Sequence, residues 1–433
     1  MQLYSTNDHT RYFSLKEAAF KGLPDDGGLF MPKTIPALPS DFFNQLQDMT
    51  FSELAMALAH QWLGAEMDAS TLKTMVNEVF DFEVPLVKLE DRIHVLELFH
   101  GPTLAFKDFG ARFMSRLLGY FLEAGDQDIH ILVATSGDTG SAVGQGFHNV
   151  PGIKVVILYP QGQVSHIQEQ QLTTIGGNVT ALEVEGTFDD CQSLVKQAFL
   201  DMELRQNMRL TSANSINIAR LLPQSFYYFY AYGQMANTTS VVASVPSGNY
   251  GNLFGGLIAK RMGLPIDRFV AASNANRIVP QYLDSGLFEP KPSIRTTSNA
   301  MDVGNPSNFA RIMDLYGNSW EAVKQDIIGY SYTDQQVHEA VKKLYQETDY
   351  IIDPHSMIGY LGLRDYLQKH PDGNGFFLAT AHPVKFSDVV SPIIGEEIPL
   401  PERLNLILKK DKQAIVMQNS LAVFKDYLLA SVS

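Results

Sequence analysis

The sequence predicts an α/β protein whose strands form parallel sheet covered by helices on both faces. Two observations carry this. From about residue 93 onward, short apolar and β-branched runs alternate with helical stretches. The runs are also near-continuously apolar rather than alternating with polar residues, as expected of strands buried on both sides. The runs are Ile93–Phe99, Ile129–Ala134, Val155–Tyr159, Val179–Val184, Val241–Val245, Arg268–Ala272 and Phe376–Ala379. In open parallel sheets, ligands sit beyond the carboxyl ends of the strands, so the residues after each run are where chemistry is sought.

Taken in order, residues 1–92 read as mostly helical. Thr50-Phe51-Ser52-Glu53 is a capping-box pattern, and Leu54, Leu58 and Trp62 follow at helical spacing. A packed helix face explains them without any chemistry. The run Ile93–Phe99 leads into HGPTLAFKDFG, and a helix is predicted from about Asp108 to Phe121. Lys107 stands at that junction. A buried amine costs several kcal/mol unless paired or neutralised. The segment alone leaves two readings open: a lysine whose stem packs on Phe106 and Phe109, or a lysine that forms a Schiff base.

The loop ATSGDTG follows Ala134 and opens a helix with Thr135, Ser136, Gly137, Asp138 and Thr139. Free amides and hydroxyls at a helix start favour an anion, although a plain capped helix reads the same way. The GxGxxG of a dinucleotide site is absent, so a carboxylate-sized anion fits better. The loop VPSGNYGN follows Val245, with Gly248, Asn249, Tyr250, Gly251 and Asn252. It is a second candidate anion nest, and it lacks the lysine and adjacent Ser/Thr of a nucleotide P-loop. SANSINIARLL sets Asn214 and Asn217 ahead of Arg220, whose forked donors suit an oxyanion or simply a helix surface. Thr380 follows the last run, and His382, Pro383 and Lys385 after it read as a turn.

The whole chain narrows the field. Its 433 residues suggest two or three domains, and 45% hydrophobic with 18% charged residues fits a globular protein. A formal charge of −14 and no basic block argue against nucleic acid as a partner. A single cysteine, Cys191, excludes an internal disulfide and a CxxC site, and the histidines lack metal-ligand spacing. No secretory signal and no membrane helix are expected, which points to a cytoplasmic protein.

The motifs ELFHGPTLAFKDFG, TSGDTG, SANSINIARLL, VPSGNYGN, SNAMDVGNPSN and TAHPVKF, with GGLFMP near the start, resemble the threonine synthase family of the bacterial and fungal long-chain type. That family lies in the tryptophan synthase β (fold type II) group of pyridoxal-phosphate enzymes. The resemblance spans roughly residues 1–390. It implies two open parallel-type sheets wrapped by helices. The expected division is an N-terminal region, 1–92, a large cofactor domain, 93–107 with 231–433, and a smaller substrate domain, 108–230. It implies pyridoxal 5'-phosphate held by Lys107, by Gly248, Asn249, Tyr250, Gly251 and Asn252 at its phosphate, and by Thr380 at its ring nitrogen. It implies that Thr135–Thr139 bind the substrate carboxylate, and that Asn214, Asn217 and Arg220 hold its phosphate. Members often carry Phe where this chain has Tyr250. The implied enzyme is a carbon–oxygen lyase acting on phosphates, converting O-phospho-L-homoserine and water to L-threonine and phosphate, with no metal. The alternatives are another lyase of the group, such as a threonine dehydratase or a phospho-amino-acid lyase, or a non-catalytic sensor of an amino-acid phosphate. Whether it is a monomer or a homo-oligomer stays open.

Overall fold

The computed structural model describes residues 1–236 and 238–431. In chain order the strands are β1 (Gln2–Ser5), β2 (Asp8–Ser14), β3 (Phe30–Pro32), β4 (Leu86–Lys88), β5 (Ile93–Glu97), β6 (Ile129–Ala134) and β7 (Ile153–Pro160). They continue with β8 (Val179–Glu185), β9 (Arg209–Ser212), β10 (Val241–Pro246), β11 (Arg268–Ser273), β12 (Ile327–Ser331), β13 (Asn374–Ala379) and β14 (Ile415–Gln418). They form three sheets, in the orders β2-β1-β3, β12-β11-β10-β13-β5-β4 and β14-β8-β7-β6-β9. The larger two are parallel apart from the edge strand β4, which runs antiparallel to β5.

The apolar runs end up buried on both faces, and the period of two decides which neighbour each side chain meets. In β6 every residue is buried; Ile131 and Val133 face a central core, and Leu132 and Ala134 face an outer one. In β10, Val241, Ala243 and Val245 join the same central core, while Val242 faces a second outer one. The central core is thus shared by both parallel sheets and filled by the helices Lys107–Phe121, Phe226–Gln234 and Gly251–Arg261. Helices Asp334–Thr348 and Pro354–Lys369 cover the outside of the six-stranded sheet, and Phe188–Leu200 covers the outside of the five-stranded one.

Both sheets reverse their winding beside the site. The chain runs β6, β7, β8 outward and then places β9 on the other side of β6. It likewise runs β10, β11, β12 outward and places β13 on the other side of β10. Crevices open at such switch points. The loops after β6, β10 and β13 are the ones the sequence singled out.

Two expectations need correction. Residues 1–32 carry the antiparallel sheet β1–β3 around the helix Leu15–Lys21, where mostly helix was expected, because β2 is almost wholly exposed and lacks the apolar signal of a strand. Helix begins in earnest at Phe51–Leu63, which Thr50 caps with its hydroxyl while its own amide donates to Glu53 at 2.9 Å. The tail also departs from the expected large domain. β14 pairs with β8, and Phe424 and Leu428 of the helix Leu421–Ala430 lie in the outer core of the five-stranded sheet. The tail's exposed Ile415 and Val416 hid that pairing.

Phe424→Ala should cost about 3–5 kcal/mol in denaturant unfolding, as expected for a fully buried aromatic. Hydrogen exchange should quicken in β8 and β14 ahead of β10 and β13. Unchanged protection in β8 would show that the tail does not support that sheet.

Candidate active site

After β5 the chain does not turn straight into helix. Residues 98–106 lie along the end of β13 and the segment beyond it. Leu98 N–H donates to the Ala379 carbonyl at 3.0 Å, Phe106 N–H to that of Thr380 at 2.9 Å, and His382 N–H to that of Leu104 at 3.0 Å. Ala105 and Ala381 form an antiparallel bridge between them. Lys107 follows at once as the first residue of the helix Lys107–Phe121, so Lys107 and Thr380 are placed by the same few peptide bonds.

No hydrogen bond or ion pair holds the Lys107 amine among the described residues. Burial pushes it down from 10.5 to about 8, against the pull of Asp138 and with the help of Arg220 and Lys385. Its helix sits directly on the Arg220 backbone, where a Cβ at Gly110 would lie 2.5 Å from the Arg220 carbonyl oxygen.

Arg220 is buried and, among the described residues, has no carboxylate partner. One of its terminal nitrogens donates to the Ala213 carbonyl at 2.6 Å, and its Nε is buried without any acceptor. Burial pushes it down to about 10, opposed by Asp108. Arg311, also buried, is different. Its guanidinium donates to the carbonyls of Phe30 (3.0 Å) and Ile216 (2.6 Å) and to Asn308 Oδ1, one bond from each nitrogen, so it braces the loop ahead of Arg220. Sequence reasoning missed Arg311, since only the partners show that it is structural.

The two anion loops are built alike. Their side chains tie the loop down and leave backbone amides open. Asn249 donates to Ser215 Oγ at 2.6 Å and accepts from Ser307 N–H at 2.7 Å. Asn252 donates to the Pro246 carbonyl and accepts from Ser247 Oγ and Leu253 N–H. Tyr250 sits at φ +61°, and its hydroxyl, which replaces nothing in the loop, is paired with Ser273 Oγ. The amides of Gly248, Asn249, Tyr250, Gly251 and Asn252 then have no acceptor among the described residues, at the start of the helix Gly251–Arg261. Gly248 and Asn249 are half-buried and Tyr250, Gly251 and Asn252 buried, and five amides left open at a helix start make a candidate anion site.

After β6, Thr135 Oγ1 accepts from Gly137 N–H and Gly140 N–H, both at 2.9 Å. Gly137, at φ +135°, leaves room for Gln168, whose side chain a Cβ there would meet at 2.4 Å. The amides of Ser136, Asp138 and Thr139 stay open among the described residues. The Asp138 carboxylate, however, is spent on Lys385 Nζ at 2.7 Å and Gln168 Nε2 at 2.8 Å. Burial raises its pKa, but the Lys385 and Lys107 charges outweigh that and hold it well below the usual range.

The expected set is therefore brought together, but not every side chain is available. Asn217 donates to the Ala19 and Ser212 carbonyls and accepts from Ala219 N–H, so its side chain is fully used in capping the short helix Ile218–Leu221. The side chains of Asn249 and Asn252 are tied into their loop, and Asp138 Oδ1 is taken by both Lys385 and Gln168, which leaves their backbone amides as the open donors. Asn214 Oδ1 is buried and unpaired; turned end for end, the amide would offer Nδ2 as a donor. Lys385, read from sequence as part of a turn, is buried at the centre of the site. Behind Thr380 stands a further network. Ser356 Oγ accepts from Thr380 N–H at 2.9 Å and donates to Asp353, whose other oxygen receives His355 Nδ1 at 2.8 Å. His355 Nε2 in turn accepts from Ala300 N–H at 3.2 Å, beside Met301, whose backbone packs on Gly248.

An open amine between a strand and a helix, an amide nest for a phosphate and a hydroxyl on the next strand end suit pyridoxal phosphate. Residues 83–379 match the family model described as "Pyridoxal-phosphate dependent enzyme". Residues 2–80 match "Threonine synthase N terminus" and residues 356–428 "Threonine synthase, C-terminal". The threonine synthase of Haemophilus influenzae is 45% identical over the full length of both chains. The crystal structure of threonine synthase from Escherichia coli superposes with a TM-score of 0.92 at 40% identity, covering 100% of each chain. The pyridoxal-phosphate-bound threonine synthase of Brucella melitensis superposes at 0.93 with 34% identity, covering 99% of each. The chain belongs to the threonine synthase family of pyridoxal-phosphate-dependent enzymes.

Two outcomes follow from this geometry. Ser356→Ala strands the buried Thr380 amide and should cost about 1–3 kcal/mol of stability, with a matching loss of cofactor affinity measured by equilibrium dialysis. Cofactor capture by apoprotein requires the neutral Lys107 amine, so its rate should rise with pH about a midpoint near 8. Stopped-flow absorbance checks this, and a midpoint near 10.5 would mean the amine is not desolvated.

Proposed function

We propose that this protein converts O-phospho-L-homoserine and water to L-threonine and phosphate in the cytoplasm. The observation that carries this reading is the meeting of an unpartnered lysine amine, Lys107, with a buried arginine whose Nε lacks an acceptor, Arg220, in one crevice. A lyase acting on an unphosphorylated amino acid has no need of the second cation.

Lys107 would hold the cofactor, the amides of Gly248–Asn252 its phosphate, and Thr380 its ring nitrogen. When bound, the cofactor supplies an electron sink for charge that develops beside the substrate amino group. The chain's own residues do the rest. The open amides of Ser136, Asp138 and Thr139, with the hydroxyls of Ser136 and Thr139, receive the substrate carboxylate. Arg220, with Asn214 beside it, grips the phosphoryl group that leaves Cγ, in an interior where a charge-assisted bond is strong. The Lys107 amine carries protons to and from the substrate carbons, and its lowered pKa suits an exchange near neutrality. Water adds at Cβ. Among the described residues no helix is long and apolar enough to cross a membrane.

Incubation of the holoenzyme with O-phospho-L-homoserine should yield threonine and phosphate in equal amounts; 2-oxobutyrate in place of threonine would reject the reading. Arg220→Ala should lower kcat/KM by the equivalent of roughly 2–5 kcal/mol while the bound-cofactor absorbance persists. Loss of the cofactor with retained substrate affinity would assign Arg220 to the other phosphate.

A further inference from the structure

An acidic side chain in a loop meant for a carboxylate calls for an explanation. Asp138 is the first residue of the helix Asp138–Phe147, its side chain is buried, and its own amide is one of the open donors of the loop. Left bare, its charge would oppose any anion brought to those amides, and low-dielectric surroundings would magnify the repulsion.

The structure sets one fully buried ammonium against it. Lys385 Nζ lies 2.7 Å from Asp138 Oδ1 and 2.8 Å from the Thr103 carbonyl oxygen. The lysine is itself held, because its carbonyl accepts Ser165 Oγ at 2.9 Å and its amide donates to the His382 carbonyl at 3.1 Å. Gln171 Nε2 donates to the same Thr103 carbonyl at 3.1 Å, and Gln168 supplies the second donor to Asp138. The two charges come from different sheets. Asp138 follows β6 and Lys385 follows β13, so the loop of one sheet is charge-matched only while the other sheet's loop lies against it. Lys107 also faces Asp138, but it is the residue expected to be occupied by the cofactor, which leaves Lys385 as the standing counter-charge.

We propose that Lys385 is a specificity-determining positioning residue, which by neutralising Asp138 makes the Thr135–Thr139 loop a site for the carboxylate of an amino-acid substrate. This rests on the reading of that loop given above. A merely structural tie between the loops would weaken every ligand alike, whereas charge compensation acts most strongly on the carboxylate brought nearest to Asp138.

The test uses the holoenzyme and two ligands that differ by that carboxylate. O-phospho-L-homoserine is read as KM, and 3-aminopropyl phosphate as a competitive inhibition constant, with cofactor absorbance confirming equal loading. Lys385→Met should raise KM by about tenfold or more and move the inhibition constant by less than about threefold. Adding Asp138→Asn should restore most of the loss, and Lys385→Arg should stay within about threefold of the parent. Equal weakening of both ligands, or a double variant no better than the single, overturns the proposal. If Lys385→Met does not fold, the double variant is compared with Asp138→Asn alone: near-equal KM values support charge compensation, and a further loss of about tenfold overturns it. Failure of the functional reading would show separately, as the absence of threonine formation by the unaltered enzyme.

Discussion

The peptide hydrogen bonds between residues 104–106 and 380–382 are the join on which the site depends. They are made by backbone alone, yet they fix the positions of Lys107 and Thr380 relative to each other. Phe106 N–H and the Thr380 carbonyl share one bond, so Lys107 cannot shift without dragging Thr380. Ser356 and Asp353 secure Thr380 from behind, and through His355 the same carboxylate reaches the segment packed on Gly248. Lys107, Thr380 and the Gly248–Asn252 loop thus share one buried anchor at the start of the helix Pro354–Lys369. A site distributed over chain positions as distant as 107, 250 and 380 needs such an anchor, because precision cannot come from local sequence.

Most of the charges in the crevice are matched within it. Asp108 is turned inward onto Thr103, whose amide and hydroxyl both donate to it. Asp138 is matched by Lys385, and each nitrogen of Arg311 is bonded to a carbonyl or amide oxygen. Two cations remain incompletely satisfied, Lys107 and Arg220. Burying an unpaired cation destabilises the fold by several kcal/mol, so their persistence is the mark of groups that await an anion or a carbonyl carbon.

Much of this was legible in the sequence, for a physical reason. Strands buried on both faces must be continuously apolar, so β6, β10 and β13 announce themselves, and the loops after them follow. Strands with an exposed face do not: β2 reads as a polar segment, and β14 exposes Ile415 and Val416, so the return of the tail to the smaller sheet was hidden. Residue type alone left Lys107 and Arg220 open to a packed or surface reading, and the resemblance of their motifs to a known family gave them their expected roles. What sequence could not supply was the partner list. Asn217 and Arg220 look equally suited to a phosphate, and only the capping bonds to Ala19, Ser212 and Ala219 show that one is spent and the other free. Lys385 was read as part of a turn because its partner lies 247 residues away in another loop.

The same accounting explains why the loops tolerate side-chain change at some positions and not at others. Where the ligand is met by amides, the side chain serves the loop rather than the ligand. Tyr250 turns its hydroxyl to Ser273, so that position asks for an aromatic body in the core and a left-handed backbone, and a phenyl ring would meet both demands at the cost of one hydrogen bond. Gly137 has no such latitude, because its backbone angle and the Gln168 side chain both exclude a Cβ. Asp138 lies between these cases. Its amide is open while its carboxylate pairs with Lys385, so a change there alters the charge balance of the crevice even where the backbone is undisturbed.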